Sequence, residues 1–137
     1  MIESAIKRLS ANDLGLTRSH QAGFLIPKLL VRGGLFDTLS CEDLNPRLAL
    51  RFYDAIRAVE FVPAYIYYNN KFFGGTRCEY RLTGLVKFIR EHGLREGDSI
   101  KIERLERFRY EIQVVKVAST ALHLTEESWT AIYGKAI

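Results

Sequence analysis

Val59-Glu60-Phe61-Val62-Pro63-Ala64-Tyr65-Ile66-Tyr67-Tyr68 is the stretch on which the fold turns. It is dense in β-branched and aromatic side chains, which suit a pleated, half-buried surface. Pro63 has no N–H to give a ladder, so it predicts an edge position or a bulge within the run. Just upstream, Leu48, Leu50 and Phe52 alternate with Ala49, Arg51 and Tyr53, the period of two that marks a half-buried strand. Just downstream, Asn69-Asn70 and Gly74-Gly75 punctuate the chain, and Phe72-Phe73 between them reads as core.

The pattern repeats outward in both directions. Ala5 to Ser10 reads as an opening strand, stopped by the turn-prone Ala11-Asn12-Asp13. Gly23-Phe24-Leu25-Ile26 is a compact apolar strand ended by Pro27, which opens a short helix at about 27–32, closed by Gly33-Gly34. After Gly84, the spacing of Leu85, Phe88 and Ile89 predicts one short amphipathic helix ending at Gly93. Glu96-Gly97-Asp98 turns into a strand at Ser99-Ile100-Lys101-Ile102, and Tyr110 to Val114 returns across Glu106-Arg107. Thr125 is an N-cap, with Glu126 and Glu127 where negative charge favours the helix dipole, so a last helix through Ile132 is expected to pack Trp129 and Ile132 on the body. Many short strands with few helices imply a mainly β protein, a barrel or pseudobarrel, built as a single domain over residues 1–137.

Composition is ordinary for a globular domain, 47% hydrophobic and 26% charged, and no stretch approaches the roughly 20 apolar residues of a membrane span. Met1-Ile2-Glu3-Ser4 lacks a secretory layout, and Cys41 and Cys78 match no metal spacing. Two reduced thiols in a cytoplasmic protein are expected. The net charge of +4 is unevenly laid out. Residues 1–34 hold five basic and two acidic side chains, and residues 65–95 hold six basic and two acidic, whereas the remaining stretches are net negative. Two separated basic blocks suit a polyanion, since each neutralised phosphate releases counterions.

Two polar segments fall in those blocks. Gly15 to Gly23 is a small-residue loop between strands carrying Arg18, Ser19, His20 and Gln21. Arg can pair bidentately with guanine, Gln with adenine, and His can donate to a base edge or a phosphate. Tyr67 to Arg81 places Arg77, Glu79 and Arg81 at alternate positions, so in extended geometry they share a face. A plus–minus–plus row suits base readout, since Glu accepts from cytosine N4. It equally describes a cross-strand ion-pair row on a solvent face. Lys71 and Lys87, beside this row, suit phosphates.

Lys7 to Asp13, His20-Gln21 with Gly23, and Ile26-Pro27-Lys28 resemble the opening of the DNA-binding effector domain of EcoRII-type restriction endonucleases. Ile66-Tyr67-Tyr68-Asn69, then Phe73-Gly74, Thr76-Arg77, Glu79 and Arg81-Leu82-Thr83, are similar to that family's second signature. The resemblance extends in fold to plant B-three-type transcription-factor domains. It implies a seven-stranded DNA-binding pseudobarrel that grips the major groove of double-stranded DNA between an N-arm around His20 and a C-arm from Gly75 through Thr76, Arg77, Glu79 and Tyr80 to Arg81. His20 matches an N-arm contact, and Arg77, Glu79 and Arg81 match base-reading positions. Gly75 and Tyr80 stand where the pattern has lysines, Leu25 where it has a tyrosine, and Arg18-Ser19 where it has two glycines. The retained Arg/Glu/Arg row implies a G·C-containing site, and the family's own target is not carried over.

Catalysis is not expected from this chain. A restriction nuclease needs clustered carboxylates and a lysine around Mg²⁺, and the nearest approach, Glu96 to Lys101, reads as a turn into a strand. Neither cofactor, metal ligand nor catalytic residue is expected; cleavage would come from a nuclease domain or subunit in cis or in trans. A monomer is expected. The rival readings are an RNA-binding or protein-interaction barrel and a small Mg-dependent nuclease.

Overall fold

In the computed structural model, which describes residues 1–15, 23–115 and 128–134, alternation along the chain becomes alternation of burial. Phe52 and Asp54 turn inward from β4 (Arg51–Asp54) while Arg51 and Tyr53 face out. Ile100 and Ile102 do the same from β8 (Ser99–Glu106), and Tyr110 and Ile112 from β9 (Arg109–Val115). With β1 (Ile2–Arg8), β5 (Val59–Phe61) and β10 (Trp129–Tyr133) these form a six-stranded sheet in the order β10-β1-β8-β9-β4-β5. A smaller sheet runs β2-β7-β6-β3, from β2 (Phe24–Ile26), β7 (Glu79–Thr83), β6 (Ala64–Tyr68) and β3 (Arg47–Ala49).

The two runs that decided the fold each cross from one sheet to the other. The Leu48–Phe52 run leaves the small sheet after Ala49 and joins the large one at Arg51; the Val59–Tyr68 run makes the reverse passage at Val62-Pro63. The corners lie together, because the Leu50 N–H donates to the Pro63 carbonyl at 3.0 Å. Pro63 thus marks a corner just beyond the edge strand β5, where a missing N–H costs no ladder bond. These two cuts account for part of the difference between the ten strand segments among the described residues and the seven expected.

Phe36 ties the sheets together. Its ring stacks on Tyr65 of the small sheet at 5.2 Å and on Tyr110 of the large sheet at 5.3 Å. Those tyrosines donate their hydroxyls to the Asp37 and Leu35 carbonyls at 2.9 and 2.6 Å, so the polar ends of the stack are satisfied. Helix α1 (Lys28–Arg32) feeds this segment; Pro27 precedes it and Gly33 ends it, as the sequence implied. Helix α2 (Val86–Glu91) packs Phe88 on Phe61, and His92 just beyond it meets the buried Asp54 at 2.6 Å.

Two expectations fail. The last helix through Ile132 is instead strand β10, paired antiparallel with β1, and its Ser128 entry adopts φ 65°. Trp129 is buried as expected and donates to the Leu25 carbonyl at 2.9 Å, but strand geometry turns Ile132 outward, 37% exposed. Thr125, Glu126 and Glu127 lie outside the described residues. Phe72 and Phe73, read as core, are 53% and 49% exposed, because they ride a short 3-10 turn that stands clear of both sheets.

Candidate nucleic-acid interface

Strands β6 and β7 are antiparallel neighbours, with Tyr68 opposite Glu79, Tyr67 opposite Tyr80 and Ile66 opposite Arg81. The ten residues between them form an arm whose foot is fixed. Asn69 is fully buried and its carboxamide donates to the Ser40 and Asp43 carbonyls at 3.1 and 2.7 Å, while it accepts the Asn45 N–H at 2.8 Å. The arm then closes on itself through the 3-10 turn Asn70–Phe73: the Asn70 side chain accepts the Arg77 N–H at 2.6 Å, and the Lys71 N–H donates to the Arg77 carbonyl at 3.0 Å. Gly75 belongs to this closure. A Cβ there would come within 2.6 Å of the Asn70 carboxamide, so any larger residue would disturb the bond that holds Arg77. That is a physical reason for glycine where the family pattern has lysine.

Beyond the turn the row expected from alternation is present. Arg77, Glu79 and Arg81 share one face of the hairpin, with Glu79 bridging them: Arg77 Nε meets Oε1 at 2.5 Å and Arg81 Nη2 meets Oε2 at 3.2 Å. Burial pushes the Glu79 carboxyl up, yet the hydrogen bonds and charges of Arg77 and Arg81 outweigh it and hold the group below its ordinary 4.5. Arg77 is a third exposed and lies over the Tyr68 ring, 3.8 Å from its centre. Arg81 is deeper, 4% exposed, and its Nη1 donates to the Gly23 carbonyl at 3.3 Å. Gly23 adopts φ +77°, and a Cβ on it would strike the Leu82 carbonyl. Gly23 is thereby joined to the row.

Tyr80 requires a correction. It occupies the opposite parity from Arg77 and Glu79, and its ring is 5% exposed, stacked on Tyr67 at 4.2 Å and Tyr65 at 5.4 Å, with its hydroxyl accepting the Leu39 N–H. A ring so enclosed offers no surface to a duplex. Lys71 and Thr76 are exposed on the arm. Lys87 is exposed on α2, where it pairs loosely with Glu91 at 3.7 Å. Arg18, Ser19, His20 and Gln21 lie outside the described residues.

The arm also borders a cleft of about 550 Å³ between β2, α1 and the start of β7. Lys28 and Arg32 of α1 line it together with Cys78 and Glu79. Lys28 Nζ approaches Cys78 Sγ at 3.4 Å and the Tyr67 hydroxyl meets the same sulfur at 3.3 Å. The Tyr67 hydrogen bond, aided by Lys28, holds the thiol below its ordinary value against the opposing effect of burial. Lys28 and Arg32 are not among the expected site residues, although their i, i+4 spacing on a helix announces a shared face. Tyr68 lies within the expected polar segment without a role of its own, and its position opposite Glu79 follows from the register of the hairpin. Among the described residues, no group of three or more His, Cys, Asp or Glu side chains comes together to hold a metal, and no helix is long and apolar enough to cross a membrane. Both cysteines are free thiols.

Residues 2–92 match the family described as restriction endonuclease EcoRII, N-terminal. The chain belongs to this family. It is 42% identical over 84 residues to the type II restriction enzyme EcoRII of Escherichia coli, a match covering 60% of this chain and 20% of that enzyme, so the chain spans about a fifth of its curated relative. Among solved structures, the EcoRII N-terminal fold seen here is similar to the Arabidopsis FUS3–DNA complex (24% identity, TM-score 0.59, covering 82% of this chain and 96% of that one). It is also similar to the N-terminal domain of Helicobacter pylori LlaJI.R1 (10%, 0.63, 98% and 100%). A third likeness is the UbaLAI restriction endonuclease B3 domain with cognate DNA (15%, 0.56, 94% and 86%). At these identities the likeness is one of fold: the mainly β body shares the fold of the UbaLAI B3 domain.

Proposed function

We propose that this EcoRII N-terminal domain is the sequence-reading part of a restriction endonuclease, binding a short G·C-containing site in the major groove of double-stranded DNA. The observation that carries the reading is the Arg77–Glu79 pair on the outer face of the arm, beside a cleft walled by Lys28 and Arg32. A guanidinium and a carboxylate side by side match guanine O6/N7 and cytosine N4, the groups that a G·C pair presents in the major groove. Arg81 anchors the row from below, while Lys71, Thr76 and the backbone at Gly75 meet the sugar–phosphate strand. Arg18, Ser19, His20 and Gln21 read the other half of the site from the N-arm. The FUS3 and UbaLAI structures are DNA complexes, and their fold likeness supports a duplex as the partner. Cleavage belongs to a nuclease domain or subunit, in cis or in trans.

Selection of bound duplexes from a random pool tests this reading. One short motif containing G·C pairs is expected, bound in preference to single strands and RNA, with plasmid left intact in Mg²⁺. Arg77→Ala and Glu79→Ala should each weaken the selected duplex by about 1–3 kcal/mol and relax preference at one base pair. A pool that yields no motif, or RNA bound as well as duplex, would sink the proposal.

A further inference from the structure

We infer that Tyr68 is a positioning residue for base recognition, setting the plane in which Arg77 presents its guanidinium; this rests on the duplex-reading function just proposed. Three observations converge on Arg77. Its backbone is fixed on both sides, N–H to the Asn70 side chain at 2.6 Å and carbonyl from the Lys71 N–H at 3.0 Å. Its Nε edge is engaged by Glu79 at 2.5 Å. One face of its guanidinium lies on the Tyr68 ring, with Cζ 3.8 Å from the ring centre.

A guanidinium has two faces and a fork of donors. Glu79 takes the Nε edge and Tyr68 covers a face, which together fix both the direction of the fork and the tilt of its plane. The terminal Nη edge is the pair of donors suited to guanine O6 and N7. Bidentate pairing requires the guanidinium to be coplanar with the base, so tilt decides whether one or two bonds form. A salt bridge alone leaves rotation about its own axis; the ring removes it. Tyr68 can do so because register places it opposite Glu79, on the same face of the hairpin, while its neighbour Tyr67 turns into the core. The contact uses the π face, not the hydroxyl.

The experiment compares wild type, Tyr68→Phe, Tyr68→Leu and Arg77→Lys on the duplex recovered by selection, on single-base variants of it, and on the same duplex carrying 7-deazaguanine at each guanine in turn. Tyr68→Leu should lose several-fold to about tenfold of the discrimination at one guanine, the one whose 7-deaza substitution costs wild type most, with preference elsewhere unchanged. Arg77→Lys should lose the same position, and Tyr68→Phe should behave as wild type. A second measurement needs no DNA: the Arg77 side-chain CH₂ protons nearest the guanidinium should be shifted upfield by the ring in the NMR spectra of wild type and Tyr68→Phe. The inference is overturned by no such shift in the wild type, by equal loss at every position, or by Tyr68→Phe failing as Tyr68→Leu does. If wild type itself selects no duplex, the proposed function fails first and takes this role with it.

Discussion

Glu79 carries a negative charge between two guanidinium groups, and its titration reports that arrangement. Because the folded carboxyl is held below 4.5, the group's contribution to stability is complete above about that pH and is lost as pH falls through the lower, folded value. Glu79→Gln should therefore be less stable than wild type above about pH 4.5, with the difference shrinking as the solution is acidified below it. Urea denaturation across that range checks this; a gap independent of pH would mean that the carboxylate is not the group responsible. The parity that gathered Arg77, Glu79 and Arg81 on one face was legible in the sequence, since alternate residues of a strand must share a side. The same parity places Tyr80 inside, where the structure finds it; only the resemblance puts Tyr80 on the arm. How deep Arg81 lies was not legible, because its depth depends on Gly23, a residue 58 positions away.

At the scale of elements, α1 adds what the arm lacks. Its two cations line the same cleft as Glu79. Neutralising Lys28 or Arg32 should lower affinity similarly for selected and random duplexes and flatten the salt dependence by about one unit each. Titrations at several salt concentrations read both effects, and an unchanged slope in both variants would remove α1 from the interface. Both short helices were legible from proline, glycine and apolar spacing, and so was the β8–β9 hairpin. The last segment was not. Glu126-Glu127 behind Thr125 suggested a helix by local chemistry, but Trp129 to Tyr133 completes the edge of the large sheet against β1. A local signal lost to pairing with a strand more than a hundred residues earlier, which no window along the chain can display. The corner at Leu50 and Pro63 escaped for a similar reason: a strand that changes sheets keeps its alternation throughout, so periodicity does not mark the crossing.

At the scale of the molecule, the sheets are held together by rings. Phe36 is in stacking contact with a tyrosine from each, and both hydroxyls return to the segment that carries it. Phe36→Ala should cost about 3–5 kcal/mol, since the cavity opens between two sheets that cannot close over it. Tyr65→Phe and Tyr110→Phe, which keep the rings, should each cost only about 1 kcal/mol. Chemical denaturation measures all three, and a Phe36 variant no weaker than the hydroxyl deletions would show that the sheets are joined elsewhere. The ion-paired row has a consequence for how such a molecule would search a genome. A reading surface that holds its own counter-charge displaces few ions when it docks, so its contribution to binding resists salt, whereas lysines on phosphates lose theirs. Random encounters, held by phosphates alone, would be shed first as ionic strength rises. The ratio of correct to incorrect occupancy should then climb with salt, making the domain a more selective reader in the crowded ionic conditions where it binds most weakly.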